Sequence, residues 1–224
     1  MRPKALLSWS SGKDSAYALQ VAQDVEIVGL LTTVTAAFDR VSMHGVRREL
    51  LARQADAVGL PCTQVEIPAP CPNEIYERAM GRVLADAKAK GITHVVFGDL
   101  FLEDIRAYRC DRLASVGMHA VFPLWGRDTK ALAREMIDAG LRATITCVDP
   151  RRLDRSFAGR TFDATLLHDL PPDVDPCGEH GEFHTFATDG PMFRKRIDVR
   201  AGEVVDREGF VFADLLPAAG VRHR

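Results

Sequence analysis

Three clusters in this 224-residue chain have the residue types and spacing to do chemistry. The first is Ser8-Trp9-Ser10-Ser11-Gly12-Lys13-Asp14-Ser15, which follows the short apolar run Ala5-Leu6-Leu7. A turn from strand into helix aims free backbone N–H groups and the positive end of the helix dipole at one point, where an anion can sit. Ser10, Ser11 and Ser15 add hydroxyl donors, Gly12 permits close approach, and Lys13 supplies a point charge. The loop is not of the G-x-x-x-x-G-K-[ST] type, because Leu7 stands where the first glycine is required and Asp14 follows Lys13. A serine-rich helix start could equally be a plain N-cap, with Asp14 offsetting the dipole.

The second cluster, Gly98-Asp99-Leu100-Phe101-Leu102-Glu103-Asp104-Ile105-Arg106-Ala107-Tyr108-Arg109, follows the apolar strand Val95-Val96-Phe97. If Asp104 starts a helix, Arg106 and Arg109 share a face and can clamp a carboxylate or phosphate. The third, Pro176-Cys177-Gly178-Glu179-His180-Gly181-Glu182-Phe183-His184-Thr185, puts ionisable residues among glycines with no core-forming period. Glu179 or Glu182 would position or deprotonate an incoming amine. Cys177, His180 and His184 could also ligate zinc, but their spacing fits no finger.

Positioning these clusters requires a sheet. From residue 4 to about 148, strand-like runs alternate with helical patterns, the last strand being 143–148. That predicts an α/β fold, a Rossmann-like parallel sheet with helices on both faces. Ligands bind beyond the carboxyl ends of such strands, which singles out the first loop, Thr32 with the segment to His44, and Gly98 to Arg109. After Pro150 the periodicity fades, so residues 1–149 are expected to form the nucleotide domain and 150–224 a small, irregular α+β C-terminal domain. A hairpin turning at Ala201-Gly202 is expected there. Phe210, Val211, Phe212, Leu215 and Leu216 would need cover, which makes a homodimer plausible.

No apolar run approaches the roughly 18 residues of a membrane span, and no signal peptide leads the chain, so a cytoplasmic location is expected. A net charge of −2 gives no broad footprint for nucleic acid, and the arginines Arg151, Arg152 and Arg155 read as solvated surface. Five cysteines without a C-x-x-C pair read as reduced thiols. The excess of arginine over lysine hints at a bacterial source.

Ser10-Ser11-Gly12-Lys13-Asp14-Ser15 resembles the S-G-G-x-D-S signature of the PP-loop ATP pyrophosphatases, with Ser11 replacing the first glycine. The order of that loop, Gly98-Asp99-Leu100 to Arg109, Pro123-Leu124-Trp125, the Cys177 to Thr185 cluster and Asp189-Gly190-Pro191 resembles the diphthine ammonia ligase family from residue 8 to about 193. Phe183 stands where those ligases tend to have tyrosine, and Glu103-Asp104-Ile105-Arg106 differs from their usual segment. The resemblance implies an adenine nucleotide alpha hydrolase-like domain and an ATP-dependent, AMP-forming amide ligase. A carboxylate on a small molecule or a protein would be adenylated, then joined to ammonia or another amine. ATP would be held by Ser8, Ser10, Ser11, Gly12, Lys13, Asp14, Ser15, Thr32, His44, Gly98 and Asp99, with Mg2+ on Asp14. Lys13, Asp14, Glu179 and Glu182 would be catalytic. Glu103, Asp104, Arg106, Arg109, Cys177, Gly178, His184 and Thr185 would face the acceptor. A tRNA-thiolating PP-loop enzyme and a non-enzymatic ATP sensor remain as alternatives.

Overall fold

A computed structural model describes residues 1–218. Its first sheet contains β1 (Lys4–Ser8), β2 (Glu26–Thr35), β4 (Cys62–Ile67), β5 (His94–Val96) and β6 (His119–Val121), all parallel. They lie in the order β4-β2-β1-β5-β6, and the short β3 (Arg40–Val41) folds back antiparallel on the end of β2. The strand order reverses beside β1, which opens a crevice at its carboxyl end.

Strand residues alternate between two cores, as a period of two requires. Ala5, Leu7, Leu30, Val34 and Val96 face one side, covered by α1 (Lys13–Val21), α2 (Arg48–Val58) and α5 (Thr129–Asp138). Leu6, Leu31, Val95 and Phe97 face the other, under α3 (Asn73–Ala89) and α4 (Glu103–Ser115). Helices on both faces, as expected, therefore flank a mostly parallel sheet.

Strand β7 (Arg142–Val148) departs from the expectation. Expected as the last strand of the parallel sheet, it belongs instead to a second, antiparallel sheet ordered β8-β7-β10-β9. Its partners β8 (Phe183–Asp189) and β10 (Phe210–Pro217) present apolar residues that join the α1/α2 core. The hairpin also differs: β9 (Val199–Arg207) runs straight through Ala201-Gly202, and the chain turns at Glu208-Gly209 instead. Glu208 and Gly209 both have positive φ, the conformation a tight hairpin turn uses, whereas Gly202 packs against Asp214 of β10. Val211 and Leu215 are buried in this chain's own core, while Phe210, Phe212 and Leu216 are half-buried. The short helix α6 (Ala164–Asp169), which follows β7, is capped by Asp163, which accepts from Leu166 N at 2.8 Å. No helix among the described residues is long and apolar enough to cross a membrane.

Candidate active site

The first loop enters α1 without a side-chain cap of its own. Thr185 of β8 supplies one, its Oγ1 accepting from Lys13 N at 3.0 Å. Ala187 N donates to Ser11 O at 2.9 Å, so the second sheet is laced onto the loop by backbone as well. From α2, fully buried Gln54 donates to Ser11 O at 3.0 Å and to Ala187 O at 2.7 Å, while accepting from Trp9 Nε1 at 2.9 Å. One amide thus fixes three segments. Gly98 must be glycine for packing reasons: a Cβ there would come within 2.9 Å of the α1 backbone at Asp14 and Ser15.

Ser11 has φ of 72°, and its buried Oγ has no hydrogen-bond partner. It does not cap the helix. The left-handed conformation explains why a glycine suits this position.

A cavity of about 230 Å³ lies between the loop and the second sheet. Ser8, Ser10, Lys13, Asp14, Ser15, His44, Gly98, Asp99, Arg109, Cys177, Gly178, Glu179, His184 and Thr185 all line it, although they come from distant stretches of chain. Ser10 Oγ and Ser15 Oγ are 3.1 Å apart, and Ser15 Oγ donates to Gly12 O at 3.0 Å. A second cavity of about 600 Å³ opens beyond the ends of β1, β2 and β4, and Thr32, Thr33, Ser42 and His44 line it. Thr32 Oγ1 donates to Trp9 O at 2.8 Å.

Lys13 is only 1% exposed. Its ammonium donates to both oxygens of Asp14 at 2.9 Å and to Cys177 O, and lies 5.4 Å from the ring centres of Phe162 and Phe183. Burial alone would lower its pKa, but Asp14, Cys177 and Glu179 more than reverse this and hold it raised. Lys13 therefore ties the first loop to the third cluster. Asp99 faces Arg109, with Nε 2.8 Å from Oδ2 and Nη2 donating to Oδ1 at 3.1 Å, and that guanidinium sits over Phe97 at 4.4 Å.

Glu179 accepts from Leu100 N at 2.8 Å. Burial pushes its pKa up to about 7, and Asp14 and Asp99 add to the rise against the hydrogen bond from Leu100. A carboxyl poised near neutrality can exchange a proton with a reacting amine. The His44 and His184 rings lie 4.6 Å apart at a tilt of 40°, and burial with the charge of His184 holds His44 well below the usual histidine range. Burial and the Lys13 charge lower His184 to about 4. Both rings are neutral at pH 7. His44 Nδ1 lies 3.3 Å from Thr185 O, which can only accept, so Nδ1 carries the proton.

Other expected site residues lie elsewhere. Glu182 is buried behind the third cluster, its Oε1 accepting from Asp175 N at 3.1 Å, and it does not line the cavity. Glu103 and Asp104 are exposed in the first turn of α4, where they complement the helix dipole. Arg106 stacks on Trp125 at 4.6 Å while Arg109 turns inward to Asp99, so the two arginines form no common clamp. The zinc ligand set does not assemble. Cys177 Sγ donates to Thr129 O at 3.4 Å, His180 packs on Phe101 and His184 on His44. Among the described residues no three His, Cys, Asp or Glu could jointly hold a metal ion.

Three positioning residues carry no motif. Asp175 Oδ1 accepts from Cys177 N and Glu179 N at 2.9 and 3.2 Å and so shapes the third cluster. Phe162 forms a wall beside Lys13. Gln54 had a readable signal, being a polar residue on the buried stripe Leu50, Leu51, Gln54, Ala57, Val58 of α2. Cys110 is exposed on α4 and Cys147 is buried on β7, so the cysteines a thiolating enzyme would pair lie on separate elements.

Residues 1–120 match the family model of the diphthamide synthase N-terminal domain, and residues 128–214 match that of its C-terminal domain. The diphthine–ammonia ligases of Homo sapiens and Bos taurus are each 28% identical to the chain over 95% of it and 88% of their own length. That of Schizosaccharomyces pombe is 34% identical over 43% of the chain and 16% of its own length. Two domain models in order, of which one spans 120 residues, and a cavity that joins their three polar clusters place this chain in the diphthamide synthase family of ATP-dependent ligases.

Proposed function

We propose that this protein activates a substrate carboxylate with ATP and joins it to ammonia, with an acceptor of the diphthine type that its relatives' names specify. In that reaction a carboxylate oxygen bonds to the α-phosphorus of ATP as pyrophosphate leaves. The amine nitrogen then bonds to the acyl carbon, AMP leaves, and the amine gives up a proton. The observation that carries the reading is the single cavity where Ser10, Asp14 and Ser15 meet Glu179.

The larger cavity would take the nucleoside and the smaller one the phosphates, at the start of α1 beside the Ser10 and Ser15 hydroxyls. Asp14 supplies a hard oxygen donor in the smaller cavity, which fits Mg2+, an ion commonly held by one or two carboxylates together with phosphates and water. When bound it would neutralise charge on the departing pyrophosphate; Asp14 is its best-placed ligand. Arg109 would hold Asp99 in its orientation. Glu179 would take the amine's proton. We also propose that the functional division of the chain falls between β6 and β7, since the strands that pair with β7 are β8 and β10 of the second sheet. The five free cysteines support a reducing, cytoplasmic setting.

The test separates the half-reactions. Asp14→Asn should abolish ATP-dependent pyrophosphate release in the presence of a diphthine-bearing peptide or a free carboxylic acid. Glu179→Gln should keep pyrophosphate–ATP exchange and lose amide formation with ammonium. Undiminished pyrophosphate release by Asp14→Asn would sink the reading.

A further inference from the structure

The amino ends of β5 and β6 carry two histidines that the ligase chemistry does not use. His94 opens β5, His119 opens β6, and the parallel register sets them directly beside each other. Alternate residues of a strand share a face, so His94 lies on the side of Val96 and His119 on that of Val121. Val96 is buried in, and Val121 packs against, the core beneath α1, α2 and α5. Both rings therefore leave the same side of the sheet, at the end away from the phosphate loop. His94 is half-buried and His119 exposed, so solutes can reach the pair.

Their spacing is that of two ligands on one ion. An imidazole nitrogen sits about 2.0–2.1 Å from zinc and its ring centre roughly 1.1 Å farther, so two rings at a tetrahedral angle have centres about 5.2 Å apart, against about 4.5 Å at a right angle. The His94 and His119 ring centres are 5.1 Å apart. Thr93 Oγ1 stands 2.8 Å from His94 Nδ1. A hydroxyl can accept as well as donate, and an Nδ1–H held by Thr93 leaves Nε2 with the lone pair that a metal needs. Metal-binding histidines characteristically have such an outer partner. Burial and the charge of His119 lower the pKa of His94, which keeps its ring neutral at pH 7. Among the described residues no third His, Cys, Asp or Glu joins the two, so water would complete the shell.

We propose that His94 and His119 form a site for a borderline divalent transition ion, zinc by its angle, which ties β6 to β5. Imidazole suits Zn2+, whereas Mg2+ prefers oxygen ligands. Strand β6 is three residues long and lies at the edge of its sheet, where a two-point brace has most to add. The ion would act on stability and not on ATP chemistry, and the inference is independent of the ligase reading.

The experiment titrates zinc chloride into the untagged, full-length protein at pH 7 with Mg2+ in excess, and follows the histidine rings by proton–nitrogen correlation. Zinc should move the ring nitrogens of His94 and His119 together, with half-saturation below about 100 μM, and should raise the melting temperature. His119→Asn replaces an exposed side chain, so the fold should stand, while affinity for this step falls at least about tenfold and the thermal gain disappears. His94→Asn should lose the same step; if it also melts lower without zinc, His119→Asn alone decides. Three results would each overturn the site. One is half-saturation above about 1 mM, and another is a His119→Asn variant that keeps its zinc affinity within about twofold. The third is a response confined to His44 and His184 or to the thiols.

Discussion

Ser11 carries two costs at once, a left-handed backbone and a buried hydroxyl without a partner. The first is worth about 1–2 kcal/mol for a residue with a Cβ and the second about 1–3 kcal/mol, against which glycine loses roughly 0.5–1 kcal/mol more chain entropy. Ser11→Gly should therefore stabilise the protein by about 1 kcal/mol and raise the melting temperature by roughly 2–4 °C. An unchanged or lower melting temperature would mean that the hydroxyl is satisfied after all. Glu179 makes the opposite trade. Its raised pKa, about 7, means that the folded protein binds its proton more tightly than the unfolded chain. Stability is thus lost as pH rises from the ordinary carboxyl range through about 7, and the ionised base appears over that same interval. With hydroxylamine as the amine, acyl transfer should climb as pH passes through about 7 and flatten above it. Glu179→Gln should abolish that rise and melt higher than the parent at pH 8. A variant with an intact pH profile would remove Glu179 from the proton transfer.

At the scale of elements, local signals worked wherever the consequence of the pattern was itself local. The helix over 129–139 was legible because Leu132, Ala133 and Met136 repeat at helical spacing behind an Asp128 cap, and the helix runs Thr129–Asp138. The strands β1, β2 and β5 were legible from apolar runs ending in turns. Strand β7 looks the same in sequence, since residues buried on both faces read alike in either kind of sheet. Only its partners distinguish it, and these lie far along the chain in β8 and β10. The hairpin failed for a related reason. Ala201-Gly202 has turn composition, but β9 takes it up as an irregularity within the strand, Gly202 and Glu203 standing against Asp214 alone, and the positive φ values fall at Glu208 and Gly209. The strand-end rule singled out Asp99 and Arg109, which line the smaller cavity, and also Arg106, which does not. Spacing on a helix brings two arginines to one face, yet the aromatic surface of Trp125 and the carboxylate of Asp99 draw them apart. A motif counts residue types and so treats Glu182 like Glu179, whereas Glu182 accepts from Asp175 N and supports the loop in which Asp175 accepts from Glu179 N.

At the scale of the whole molecule, the site exists only while the two sheets stay in contact, and one carboxylate on β10 does much to hold them. Asp214 accepts from Arg40 of β3 at 2.9 Å, and from Arg47 at the start of α2 through Nη2 at 2.6 Å and Nε at 3.1 Å. Arg40 also donates to Gly45 O at 2.8 Å, which shapes the segment carrying His44. The Asp214 carboxylate is 17% exposed, so these bonds are only partly screened. Burial pushes its pKa up, but hydrogen bonds from Arg47 and Arg40 outweigh that and hold it below the ordinary value of 3.8. A lowered carboxyl pKa stabilises the fold above the unfolded-state value and stops doing so as pH falls through the folded-state value. Asp214→Asn should therefore cost about 2 kcal/mol at pH 7, with two arginines left short of a charged acceptor. The same difference should persist at pH 5 and shrink as pH drops below about 3.8, where the parent's own carboxyl takes up its proton. Urea unfolding of both proteins across that range measures the gap, and a gap independent of pH would mean that the charge of Asp214 contributes nothing. Because Asp214 lines neither active-site cavity, any rise in KM for ATP in this variant reports the looser seating of β10 against β3 and α2. An unchanged KM beside a full loss of stability would confine the clamp to folding.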